Sequence, residues 1–151
     1  MILNCRSCAW AETQRERPKA PQIFDAMNSE LKLRVEEIAE ECSVPGWDGF
    51  GANAVTAVAV ADARAFAEAL DSTLPVPEVG AEPDGALTFE WHRSARQTLS
   101  VSVHGFGVLH YAALLGTERI CGTEAFRARM PRVLRDLIAR IEQRDAESFS
   151  R

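Results

Sequence analysis

The chain has no apolar run approaching the 18 to 20 residues needed to cross a bilayer, which argues against a membrane span. Its first ten residues, Met1 to Trp10, have neither the apolar segment nor the cleavage pattern of a secretory signal, so a cytoplasmic protein is expected. In that compartment Cys5, Cys8, Cys42 and Cys121 stay reduced. The Cys5-Arg-Ser-Cys8 spacing supplies half the ligands of a structural zinc site, but no second Cys/His pair stands at a matching interval, and no metal is assigned. Gly49 and Gly51 lack the third glycine of a dinucleotide fingerprint and the lysine of a phosphate loop, so no nucleotide and no cofactor is expected. No repeat and no catalytic signature stands out along the chain.

What is present is the composition of a globular chain, with 46% hydrophobic and 26% charged residues, long enough to bury one core without disulfides or metals. The centre of that core is the stretch from Ala86 to Gly116. There Leu87, Phe89 and Trp91, then Leu99, Val101 and Val103, then Leu109, Tyr111 and Ala113 alternate with other residues, which predicts three strands with one buried face. The connections are short, so consecutive strands should pair antiparallel, with Gly105-Phe106-Gly107 as a three-residue loop that sets His104 opposite Val108.

The flanking segments read as cover for that face. Residues 1–22 mix prolines and charges without periodicity and read as a flexible arm, and residues 146–151 as a frayed tail, around a single domain of residues 23–145. Asn28 or Ser29 caps a first helix with Leu31, Val35, Ile38 and Cys42 on one face and glutamates on the other. Thr56 caps a second, with Ala59, Ala63, Phe66 and Leu70 inward. Pro75 and Pro77 lead into an edge strand at Glu78 to Glu82, and Pro83-Asp84-Gly85 turns into the central strands. A further strand is expected at Glu118 to Thr123. A last helix opens at Pro131, with Val133, Leu134, Leu137, Ile138 and Ile141 inward. The predicted fold is α+β: two N-terminal helices, a four- to five-stranded antiparallel meander and a C-terminal helix, with the helices on the Leu87/Phe89/Trp91 face.

Between the first two helices, Trp47-Asp48-Gly49-Phe50-Gly51-Ala52 is the most distinctive local text. Two aromatics flank a carboxylate, and the glycines permit a tight loop. One reading makes Trp47, Asp48 and Phe50 a recognition surface. The favoured one has both rings plugging the sheet edge while Asp48 bonds its own loop amides.

This loop, the Pro75-Val76-Pro77 link, Asp84-Gly85 followed by Glu90-Trp91, Gly122-Thr123-Glu124 with Phe126, and Met130-Pro131 together resemble a family of small uncharacterised bacterial and phage-encoded proteins. That pattern has a Trp-Asp-Gly-Tyr-Gly-Ala loop, a proline-rich link, an Asp-Gly turn before a Glu-Trp strand and a Leu-Pro start to its final helix. The resemblance covers residues 47–143, departs at Phe50 and Met130, and brings no activity with it.

Alternation puts Thr88, Glu90 and His92, then Ser100, Ser102 and His104, then Val108, His110, Ala112 and Leu114 on the sheet face turned away from the core. The expected register sets His110 on one side of Ser102 and Glu90 on the other. Glu90, Ser102, His104 and His110 are therefore the candidates for a small hydrolase or a metal-dependent enzyme. An open sheet without a cleft or oxyanion donors favours a binding surface instead, with Trp47, Asp48, Phe50, His92, His110 and Leu114 as its candidate residues.

The net charge of −5 hides a division along the chain. Residues 23–90 carry fourteen Asp/Glu against three Lys/Arg, and residues 91–151 carry ten Arg against six acids. An acidic chain with interspersed carboxylates is a poor nucleic-acid binder, so nucleic acid and membrane are not expected as partners. The leading expectation is a non-enzymatic protein-binding module, an inhibitor or accessory factor such as phages and mobile elements direct at a host complex, in the manner of anti-CRISPR proteins or antitoxins. A second copy of the chain, docked on the open face, is the alternative partner.

Overall fold

A computed structural model describes residues 23–143. The arm at 1–22, with the Cys5/Cys8 pair, and the tail at 146–151 lie outside the described residues. In chain order the elements are α1 (Ile23–Glu41), α2 (Ala57–Ala69), β1 (Glu78–Ala81), β2 (Leu87–Ser94), β3 (Gln97–Gly105), β4 (Val108–Leu115), β5 (Glu118–Ala125) and α3 (Arg132–Glu142). The five strands form one antiparallel sheet in the order β1-β2-β3-β4-β5, a meander with each strand beside its sequence neighbour.

Leu87, Phe89, Trp91, Leu99, Val101, Val103, Leu109 and Ala113 are buried on one face of the sheet. They form one cluster with Leu31 and Val35 of α1, Ala63, Phe66 and Ala67 of α2, and Leu134, Leu137, Ile138 and Ile141 of α3. All three helices thus cover the same face, giving two layers, and no element among the described residues covers the other sheet face. Small residues on α2 let it pack close to the sheet, where the Phe66 ring meets Phe89 edge-on at 4.8 Å and Phe126 at 5.8 Å. The Trp91 indole N–H, which burial would otherwise leave unpaired, donates to the Pro75 carbonyl at 2.8 Å and fixes the proline link against β2.

Thr56 caps α2 as expected, its hydroxyl accepting from the Ala59 amide at 3.2 Å. α1 departs from expectation. It starts at Ile23, so Asn28 and Ser29 lie inside the helix rather than at its N-cap. Asn28 instead donates through Nδ2 to the Glu68 carbonyl at 3.3 Å, tying α1 to α2, and tertiary packing overrides the local preference of Asn for a helix end.

The β3–β4 hairpin also differs by one residue. Gly105, not His104, stands opposite Val108, which leaves a two-residue turn of Phe106 and Gly107 with φ of 60° and 69°. Two consecutive positive φ values match the tight turn whose twist suits a hairpin. The residue gained by β3 is absorbed as an irregularity between Val103 and Gly105, so His104 is an extra, bulged residue.

Candidate functional site

The 46–53 loop is locked by its own backbone. The Gly46 amide donates to the Ala52 carbonyl at 2.7 Å, and Asp48 Oδ1 accepts from the Phe50 and Ala52 amides at 2.8 and 3.0 Å. Those bonds, led by Ala52 and then Phe50, hold the Asp48 carboxyl below its ordinary range. The Trp47 indole closes the same loop by donating to the Asn53 carbonyl at 2.9 Å. Asp48 therefore has the role expected of it, but the rings do not both plug the sheet. Trp47 is half-buried, while Phe50 is 95% exposed and points away from the core.

Three bonded segments gather at one end of the sheet. The Asn53 amide donates to the Pro83 carbonyl at 2.8 Å, pinning the 46–53 loop to the turn between β1 and β2. From that turn Asp84 Oδ2 meets His104 Nε2 at 2.7 Å, and Glu82 accepts the Ser102 hydroxyl at 2.5 Å. At the next connection Asp62 of α2 accepts the Gly107 amide at 2.7 Å, holding the hairpin that carries Phe106, which is 85% exposed.

Across the open face at this end runs a row of polar groups. The His104 ring lies edge-to-face with His110 at 5.2 Å, and His110 Nδ1 meets Thr123 Oγ1 of β5 at 3.0 Å. Partial burial pushes the Asp84 carboxyl up, but the His104 bond, the Ala86 amide and the imidazole's charge outweigh it and leave the group below its ordinary value.

The register brings only part of the expected catalytic set together. Ser102 stands opposite His110 as read, but its other neighbour is Thr88, and Glu90 pairs with Ser100. Glu90 is thus two strands and two residues away from His110, about 9 to 10 Å across the sheet and about 7 Å along it. Ser102 gives its hydroxyl to Glu82, not to an imidazole, so no nucleophile-base pair forms from these residues.

The expected binding set is split as well. Trp47, Asp48, Phe50 and His110 belong to the end just described. His92 and Leu114 both flank Thr98, in a row at the other end of the open face. Leu114 lines a shallow hollow of about 470 Å³ there, with Ala112, Arg119 and Cys121.

Sequence pattern assigns Glu82 and Asp84 only to an edge strand and a turn. Their sequence signal was available: Glu82 continues the parity of Glu78 and Gly80 toward the open face, and a Pro-Asp-Gly turn carries Asp84 past the end of β2. The bulge that turns His104 toward them has no such mark.

Among the described residues the geometry defines a two-layer α+β domain with one sheet face uncovered and an aromatic-bearing end braced by hydrogen bonds. Comparison with protein-family models, with curated proteins and with solved structures finds no match. No helix among the described residues is long and apolar enough to cross a membrane.

Proposed function

We propose that this chain is a non-enzymatic binding module that docks on a protein partner through the end carrying Phe50 and Phe106, in the manner of an inhibitor or accessory factor of a larger complex. The observation that carries the reading is Phe106. A phenylalanine at φ 60° occupies a left-handed conformation that costs about 1–2 kcal/mol for a residue with a side chain, yet its ring is 85% exposed and returns no packing to the fold. Glycine or asparagine would serve the turn more cheaply. Phe50, without that strain, is likewise exposed, in a loop that Asp48 braces, so both rings are displayed at little further ordering cost on binding.

The partner that fits has apolar recesses for two aromatic rings and a basic group facing Asp48. Aromatic anchors of this kind carry much of the energy in protein interfaces. The separation of Glu90 from His110 and the engagement of Ser102 by Glu82 weigh against the hydrolase reading.

The test uses affinity capture at micromolar protein concentration with the wild type and with Phe50→Ser/Phe106→Gly. Phe106→Gly relieves the left-handed strain while loosening the unfolded chain, so stability should hold within about 1 kcal/mol. A stoichiometric partner lost on substitution supports the proposal. Equal capture by both proteins would refute it, as would the absence of any partner. Self-association that survives the double substitution would assign the hollow beside Leu114 to a second copy instead.

A further inference from the structure

We infer that Glu82, Asp84 and His104 form a binding site for one divalent transition-metal ion of the zinc or manganese type, independent of the docking role of the aromatic rings. One ligand atom from each residue lies within 4.8 Å of the others. An ion with bonds of about 2.0–2.2 Å holds its donors roughly 3 to 4 Å apart, so a small rotation of the half-buried Glu82 side chain completes the set.

Two features separate this set from a chance meeting of surface charges. First, the carboxylates are already oriented from outside. Ser102 donates to Glu82 Oε1 at 2.5 Å, and the Ala86 amide donates to Asp84 Oδ1 at 3.1 Å. Such outer bonds hold ligands in place before the ion arrives. Second, His104 reaches the carboxylates from the residue that the β3–β4 hairpin inserts as a bulge, a device that re-aims a side chain at the cost of regular pairing.

The donor chemistry selects the ion. One imidazole and two carboxylates suit zinc or manganese, whereas calcium and magnesium prefer oxygen alone. Binding replaces the hydrogen bond between His104 Nε2 and Asp84 Oδ2 with a metal bond to each atom, and the neutral imidazole then carries its proton on Nδ1. His104 Nδ1 is buried with no hydrogen-bond partner, so the imidazole lacks the outer acceptor that metal-bound histidines usually have. That places the affinity about 10- to 100-fold below that of a fully buttressed site. With only three protein ligands, the remaining coordination positions are left for water or a partner's side chain.

The experiment is a zinc titration of the full chain carrying Cys5→Ser and Cys8→Ser, which removes competing thiolates, followed by calorimetry and by the ring-nitrogen signals of His92, His104 and His110. One equivalent of zinc should bind, shifting the His104 Nε2 signal and leaving His92 in place. Asp84→Asn and His104→Gln, each confirmed folded by circular dichroism, should each weaken binding at least tenfold, and magnesium should not compete. The proposal is overturned if no heat or shift appears up to millimolar zinc, or if either folded variant binds as tightly as its parent.

Discussion

Trp91 joins three parts of the fold through one side chain, because its ring is 3% exposed in the core and its N–H secures the Pro75 carbonyl. Trp91→Ala removes the ring and leaves that carbonyl without its donor, so the loss should be about 3–5 kcal/mol, at the level of aromatic truncations in other cores. Urea denaturation of the purified variant measures it; a loss below about 1 kcal/mol would mean that the ring is not part of the core. Asp48 gives a residue-scale prediction of another kind. Its folded carboxyl is held below the unfolded value of about 3.9, so its contribution is complete above that pH and disappears as the pH falls through the lower folded value. Acid should therefore release the 46–53 loop before it unfolds the core. Amide spectra of Phe50 and Ala52 should move together in that window. In Asp48→Asn, which has no proton to take up, they should stay still.

At the scale of elements, the turn between β1 and β2 matters beyond its length. Gly85 has a φ of 94°, and a Cβ there would stand 2.8 Å from the Ala54 carbonyl oxygen, so alanine meets both a left-handed backbone and a neighbouring main chain. Gly85→Ala should cost about 2–4 kcal/mol and pull Asp84 away from His104, seen as a lower thermal midpoint and a changed His104 ring signal. The same turn shows where sequence reading succeeds and where it stops. Period-two alternation identifies the buried residues of β2 to β4, and Thr56 and Pro131 mark helix starts, because these signals act locally or through one buried face. The first turns of α1, the hairpin bulge and the approach of Glu82 and Asp84 to Ser102 and His104 are decided by packing between distant segments. Phe106 hides the hairpin type, since it fills a left-handed position where glycine or asparagine would have announced a two-residue turn. The candidate site was therefore half legible: its histidines and serine from strand parity, its carboxylates only once the turn is placed beside the bulge.

For the molecule as a whole, the meander converts charge order along the chain into charge order in space. β1 and β5 are opposite edges of the sheet. Glu82 and Asp84 follow the β1 edge, and Asp48 sits in the loop pinned to that turn; Arg127 and Arg129 follow β5, where the Phe126 amide donates to the Gly107 carbonyl at 2.7 Å beside the Phe106 turn. The aromatic end thus has Asp48, Glu82 and Asp84 on its β1 side and Arg127, just past the last residue of β5, on the other. A field of this shape acts while a partner is still approaching, and salt screens it over roughly 10 Å at 0.1 M. The rings act only after contact. Association with the partner proposed above should therefore slow several-fold as salt rises from about 0.05 to 0.3 M, with little change in dissociation, whereas Phe106→Gly should speed dissociation and leave the salt dependence of association intact. Arg127→Glu should mainly change the association rate and its salt slope. Surface-immobilised partner and stopped-flow mixing give the two rates separately. If Phe106→Gly altered association alone, or if salt altered dissociation alone, the division of labour between the charged flanks and the displayed rings would be wrong.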